Sequence, residues 1–183
     1  MVFSQLRASG RKTLVDGIPE RNAPCVFPHG ECVSLALEEI LARTCELTLT
    51  RTPAYESVRQ GDVLLGMTSI IGGVHWAVSV GFTRPAVTEI ARKFAGVPAS
   101  MPDENLGDAI GEIVNMIGGR IKLLLAAREM AARFTIPTVI SASGLRVLRP
   151  HPHNNAISFV HYDSPVGQLW TAVTAGATSG LVL

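Results

Sequence analysis

The sequence predicts an α+β fold, with helices gathered on one face of a largely antiparallel sheet. Three observations carry that expectation. Apolar residues recur at helical spacing over residues 106–128, the longest such pattern in the chain. Two apolar runs, residues 62–71 and 74–82, flank Gly72-Gly73 and read as a hairpin. After Arg133 the period changes from helix to strand and stays so to Val173.

The bulk properties agree with one globular unit. The chain has 183 residues, 47% hydrophobic and 17% charged, which suits a sizeable core and excludes disorder as the general state. A net charge of +1 gives no electrostatic case for a nucleic-acid or membrane-surface partner. No uninterrupted apolar run is long enough to span a bilayer, and the first residues lack the basic-then-apolar layout of a signal peptide. Three cysteines, Cys25, Cys32 and Cys45, are an odd number without paired spacing, so reduced thiols and a cytoplasmic location are expected.

Taken in order, residues 1–30 are broken up by Gly10, Gly17, Pro19, Pro24, Pro28 and Gly30 and are expected to form a loose extension ahead of a domain covering 31–183. Residues 31–47 form a first helix that is apolar on nearly every side and therefore buried; Val33, Leu37, Ile40 and Leu41 set its spacing. Thr48 to Thr50 starts a strand that Pro53 ends. In the hairpin the two glycines predict a two-residue turn, because both central positions of such turns need positive φ. Its second strand alternates bulky Val74, Trp76, Val78, Val80 and Phe82 with smaller residues, so the bulky face should receive the helices. Thr83 caps a second helix with Pro85 in its first turn, and Gly96 stops it. Asp103 and Glu104 favour the N-terminal end of the long helix. Strands follow at 134–140, where Pro137 predicts an edge or bulge, then at 145–148, 156–162 and 168–173. The tail from Ala175 is small-residue-rich and expected to fray.

Wound at about 100° per residue, the long helix divides into two faces. Ile110, Ile113, Val114, Ile117, Ile121, Leu124 and Leu125 fall on one, and Asp108, Glu112, Asn115 and Gly119 on the other. A polar stripe opposite an apolar one is also what any surface helix shows. Here, however, Asn and Gly stand where long charged residues would form helix more readily, and Gly118-Gly119 costs roughly 1–2 kcal/mol of helix propensity relative to alanine. That cost points to close approach of another backbone or of a partner at this turn.

Rival chemistry is thin. His151, His153 and His161 could supply metal ligands, but no cysteine pair or HExxH pattern lies nearby, and His151-Pro-His153 reads as a polar loop histidine pair. Cys32 and Cys45 lie on a helix expected to be buried, where thiols are structural. There is no phosphate-binding GxxxxGK[ST] loop and no GxSxG elbow.

The pattern Asp108, three residues, Glu112, two residues, Asn115 resembles the CheX/CheC/FliY family of chemotaxis phosphatases, the CheX members most of all. Gly111-Glu112-Ile-Val-Asn115-Met-Ile-Gly118 and Thr135-Ile-Pro137-Thr-Val-Ile140 extend the resemblance, which covers roughly residues 31–174. It implies a CheC-like fold and hydrolysis of the aspartyl-phosphate of a CheY-like response regulator. Glu112 and Asn115 would be the catalytic pair, with Asp108 and Gly119 in partner docking. The Mg²⁺ would belong to the partner, with no cofactor or metal on this chain. A homodimer formed through the sheets is also implied. Ser34, Glu38 and Leu41 on the first helix echo the pattern, as a degenerate copy or by coincidence; Leu41 cannot orient water, so one active site per chain is expected. Two other readings stand beside this one. The first is a non-catalytic module binding a receiver domain or a flagellar switch component. The second is an unrelated binding domain, which burial of Glu112 and Asn115 under the chain's own loops would favour.

Overall fold

A computed structural model of the chain describes residues 29–53, 61–96, 98, 102–145 and 156–176. In chain order the elements are α1 (His29–Cys45), β1 (Thr50–Thr52), β2 (Asp62–Gly72), β3 (Trp76–Thr83), α2 (Arg84–Ala95), α3 (Asp103–Ala126), β4 (Ala132–Phe134), β5 (Thr138–Ser143), β6 (Ala156–Ser164) and β7 (Gly167–Ala175). The strands form one sheet in the order β1-β6-β7-β3-β2, with β4 and β5 sharing the far edge of β2. All the pairings are antiparallel. The expected α+β class is therefore the observed one.

Strand alternation fixes which face is covered. Trp76, Val78, Val80 and Phe82 of β3 are buried under the helices, as the alternation predicts. Their register partners on β7, from Ala175 to Leu169, continue the same face. α1 lies over β6 and β7, α2 over the β3–β7 region, and α3 over β2, β4 and β5. α3 packs with Ile110, Ile113, Val114, Ile117, Ile121 and Leu125 fully buried, while Leu124 is only half-buried at the margin. Close approach is possible because β2 carries Gly66 beneath it: a Cβ there would run into the Val114 side chain. Arg120 of α3 donates to Glu39 of α1 at 2.7 Å, and Arg51 of β1 forks onto Glu31 and Glu38 of α1. These partly exposed ion pairs fix register more than they stabilise, at up to about 1 kcal/mol each.

Several expectations are corrected. α1 starts at His29 and ends at Cys45, two residues early at each end; Glu46 takes a left-handed φ of 52°, and the Leu47 N–H turns back to the Leu41 carbonyl at 3.2 Å. The first strand is Thr50–Thr52 rather than 48–50. Gly72-Gly73 is not the centre of a two-residue turn. The last β2–β3 pair is Ile70 with Trp76, and Ile71 and Gly72 instead pair with β4. Gly72 (φ 130°) faces the Ala131 carbonyl so closely that a Cβ would stand 2.5 Å from it. The glycines thus serve the junction with β4 rather than a tight reversal. Thr83 stands at the N-cap of α2, but its hydroxyl bonds Gln168 of β7 instead of the helix N–H groups; Gly96 closes that helix in the left-handed conformation as expected. α3 begins at Asp103, three residues before the expected start, and ends at Ala126. The strand expected at 134–140 is two strands, interrupted at Thr135-Ile136-Pro137. Proline has no N–H for the ladder, so the break falls where the sequence placed an edge or bulge. The β6–β7 hairpin reverses over Pro165 and Val166, with Ser164 paired to Gly167. Ala175, expected in the fraying tail, instead closes β7, paired with Trp76 and Ala156; residues 146–148 of the expected strand at 145–148, residues 1–28 of the extension and the tail from 177 lie outside the described residues.

Candidate functional site

The polar face of α3 looks into an open groove of about 720 Å³. One wall is the helix itself, with Glu104, Asp108, Glu112 and Asn115 and with Gly107 and Gly111 between them. The other wall is the break between β4 and β5: Ile136, Pro137 and Val139. Asp108 and Glu112 are exposed and Asn115 is half-buried. Among the described residues none of these three side chains has a hydrogen-bond partner, so all are available to an incoming molecule. The carboxylate and the carboxamide stand on one face about a turn apart, roughly 5–6 Å between Cβ atoms. The helix beneath them cannot rotate without exposing its buried isoleucines, which fixes their aim.

The opposite wall is held as firmly. Thr135 N–H donates to the Ser69 carbonyl at 3.0 Å, Ser69 N–H donates to Thr135 Oγ1 at 3.0 Å, and Thr68 Oγ1 donates to the Thr135 carbonyl at 2.8 Å. Gly118 explains how this wall meets the helix: a Cβ on it would lie 2.8 Å from the Phe134 ring. Close approach at the glycine pair is therefore real, but it is made by the chain's own Phe134. Gly119 follows Asn115 by one turn on the same face of α3, beyond the end of the groove, and a Cβ on it would meet nothing within 4 Å, so that turn is open to solvent. Outside the groove lining, Arg84 of α2 donates to Asp103, the neighbour of Glu104, at 2.6 Å, and this guanidinium holds the Asp103 carboxyl below its usual range.

The lining decides what the groove can do alone. It presents three carboxylates and one carboxamide but no lysine, arginine, histidine, hydroxyl or thiol. A carboxamide both donates and accepts, so it can hold a water; a carboxylate can pair with a cation. Such a rim repels a free phosphate and offers no hydroxyl, thiol or amine nucleophile.

The other sequence candidates lie apart. Cys32 and Cys45 are buried, and burial pushes the Cys32 thiol up to about 11 and the Cys45 thiol up as well, which suits inert core thiols. His161 is buried on β6, its ring 4.7 Å from that of Phe159, while His151 and His153 lie outside the described residues. Among the described residues no three His, Cys, Asp or Glu side chains converge as a metal site. The echo on α1 is taken up by the core at Ser34 and Leu41 and by an ion pair at Glu38. Ser34 accepts from Tyr162 Oη at 2.6 Å, Glu38 pairs with Arg51, and Leu41 is fully buried. Sequence reasoning missed the opposite wall. Pro137 was legible as a break, but periodicity gave no sign that Ile136 would face α3's polar stripe.

Residues 64–161, more than half of the chain, match the family model described as chemotaxis phosphatase CheX. The chain belongs to the CheX family. Solved CheX structures share its fold. One is a chemotaxis protein CheX from Desulfovibrio desulfuricans, 18% identical over 81% of this chain and 99% of that one, at a TM-score of 0.68. Another is CheX from Vibrio vulnificus, 23% identical over 84% and 99%, also at 0.68. A third is the CheX of a CheX–CheY–BeF3–Mg²⁺ complex from Borrelia burgdorferi, 13% identical over 80% and 96%, at 0.59. At these identities the likeness establishes the fold. No curated protein matches the chain. The resemblance read from residues 108–115 and 135–140 is thus to the right family, and the CheX fold carries that motif on the groove-facing side of α3.

Proposed function

We propose that this CheX domain hydrolyses the aspartyl-phosphate of a CheY-like response regulator, with Glu112 and Asn115 entering the regulator's active site. The observation that carries the reading is the groove: a carboxylate and a carboxamide one turn apart, unpartnered, on a helix held by a fully buried back. Hydrolysis of an acyl phosphate by in-line attack asks mainly for positioning and charge stabilisation. The regulator supplies the phosphoryl group, its Mg²⁺ and its lysine. Asn115 accepts from and donates to the attacking water, replacing a disordered molecule by one in attack geometry. Glu112 pairs with the regulator's lysine and sets the register of α3 in the complex. Asp108, in the same groove one turn earlier, is too far to share that water and contributes to docking. Gly119, one turn beyond Asn115 with open space above it, permits close approach of a partner loop. In this reading the chain carries no metal or cofactor of its own, works in the cytoplasm and forms a homodimer through its sheet. The exposed Met67, Ile71 and Ile140 on the face away from the helices support the last point.

The test is the lifetime of phosphorylated CheY-like receivers of the same organism with wild-type protein, Glu112→Ala and Asn115→Ala. Asn115→Ala should keep binding and lose about 10²-fold in rate, as when one transition-state positioning group is removed. Full activity in Asn115→Ala overturns the catalytic assignment. Binding without any shortening of the phosphoryl lifetime by the wild type favours a non-catalytic receiver-binding module.

A further inference from the structure

We propose that Ile136 is the apolar anchor of the docking surface, seating in an apolar patch beside the cationic group that the receiver presents to α3; the inference rests on the receiver-directed reading above. Ile136 is 91% exposed, while the other exposed large apolar residues among the described residues range from 38% to 61%. Single exposed apolar side chains are common and need no function in themselves. Two features separate this one.

The first is rigidity. Thr135, immediately before it, is fixed to β2 by three hydrogen bonds through its N–H, carbonyl and hydroxyl. Pro137, immediately after it, has its φ set by the ring, and Thr138 opposite Met67 resumes the ladder. The residue before a proline is confined to extended conformations, and a β-branched side chain has few rotamers. The side chain is therefore held out toward solvent with little conformational entropy left to lose on contact.

The second is position. Ile136 and Pro137 form the wall facing Glu112 and Asn115. A molecule that brings a reacting group to Asn115 must lie across this wall and cover Ile136. Charge narrows the occupant: Glu104, Asp108 and Glu112 line the facing side, and no basic residue does. The complementary surface is a cationic side chain flanked by an apolar depression. The helix wall leaves room for it, since Cβ atoms at Gly107 would meet nothing within 4 Å and at Gly111 only Val139 at 3.7 Å.

Dephosphorylation kinetics of a phosphorylated CheY of the same organism test the anchor, together with equilibrium binding of that CheY activated with beryllofluoride. Ile136→Ser should raise KM and Kd about tenfold to a hundredfold, the effect of leaving one isoleucine side chain unburied, with kcat within about twofold of wild type. Ile136→Val should stay near wild type. Unchanged KM and Kd in Ile136→Ser overturn the anchor, and so does a loss confined to kcat. If the wild-type protein binds the activated CheY without shortening its phosphoryl lifetime, the phosphatase reading itself fails, whatever Ile136→Ser does to Kd; the two failures are thus told apart.

Discussion

Gly118→Ala and Gly119→Ala should move stability in opposite directions, although the two residues are adjacent in one helix. Each replacement gains about 0.8–1 kcal/mol of helix propensity. At Gly119 nothing stands within 4 Å of the new Cβ, so the gain is realised in full. At Gly118 the new carbon would lie 2.8 Å from Phe134 Cδ2, 3.1 Å from Cγ and 3.3 Å from Cε2. The neighbour is a ring, not the end of a flexible chain, and it sits between Ala132-Arg133, paired to β2, and Thr135, bonded to β2. Overpacking of this kind costs about 1–3 kcal/mol, which outweighs the propensity gain. The two variants should differ by about 1–3 kcal/mol. For a chain of this size the gain at Gly119 is a rise of about 2–4 °C in melting temperature. Urea denaturation followed by circular dichroism measures both. Gly118→Ala combined with Phe134→Leu should recover part of the loss, as coupled neighbours do. Equal stabilisation by both alanines would refute the packing account and return the pair to a role in partner contact. Activity adds a second readout: a methyl group at Gly119 sits where a partner loop would approach, so Gly119→Ala should raise KM while leaving kcat near wild type, and an unchanged KM would remove Gly119 from docking.

Two further predictions concern the core. Leu41→Asn completes the echo on α1, but the position is fully buried, so the change should destabilise by about 2–5 kcal/mol and create no second site; a doubled rate per chain would contradict this. Alkaline stability should fall in a defined window. Burial raises the folded Cys32 thiol to about 11 and also raises Cys45 and Tyr162. Groups raised on folding contribute in full below their unfolded values, about 8.5 for a thiol and 10 for a phenol, and lose that contribution as pH rises toward the folded ones. The urea midpoint in reducing buffer should therefore be flat near neutrality and decline from about pH 9 to 11. The double variant Cys32→Ala, Cys45→Ala should decline less steeply; parallel curves would remove the thiols as the cause.

Much of the architecture is local enough to read from the chain. The 3.6-residue period over α3, the alternation of β3 and the Gly96 stop each follow from one segment meeting one apolar surface. Where reading failed, a distant partner had overridden the local signal. Gly72-Gly73 carries strong hairpin chemistry, yet β4, some sixty residues on, claims Ile71 and Gly72 and moves the turn. Thr83 stands at the expected cap position, but β7 takes its hydroxyl. The strand around Pro137 was legible as interrupted, not as two strands sharing one edge of β2.

The sequence alone determined the α+β class, the buried and exposed faces of α3, and the motif of Asp108, Glu112 and Asn115. All of these are periodic or contiguous, so they need no knowledge of what lies across the fold. Only the tertiary structure decided that the motif forms one wall of a groove whose other wall is Ile136 and Pro137, that Gly118 answers to Phe134, and that Ser34 and Leu41 are core. Those facts join residues far apart in the chain, through strand registers that no single stretch encodes.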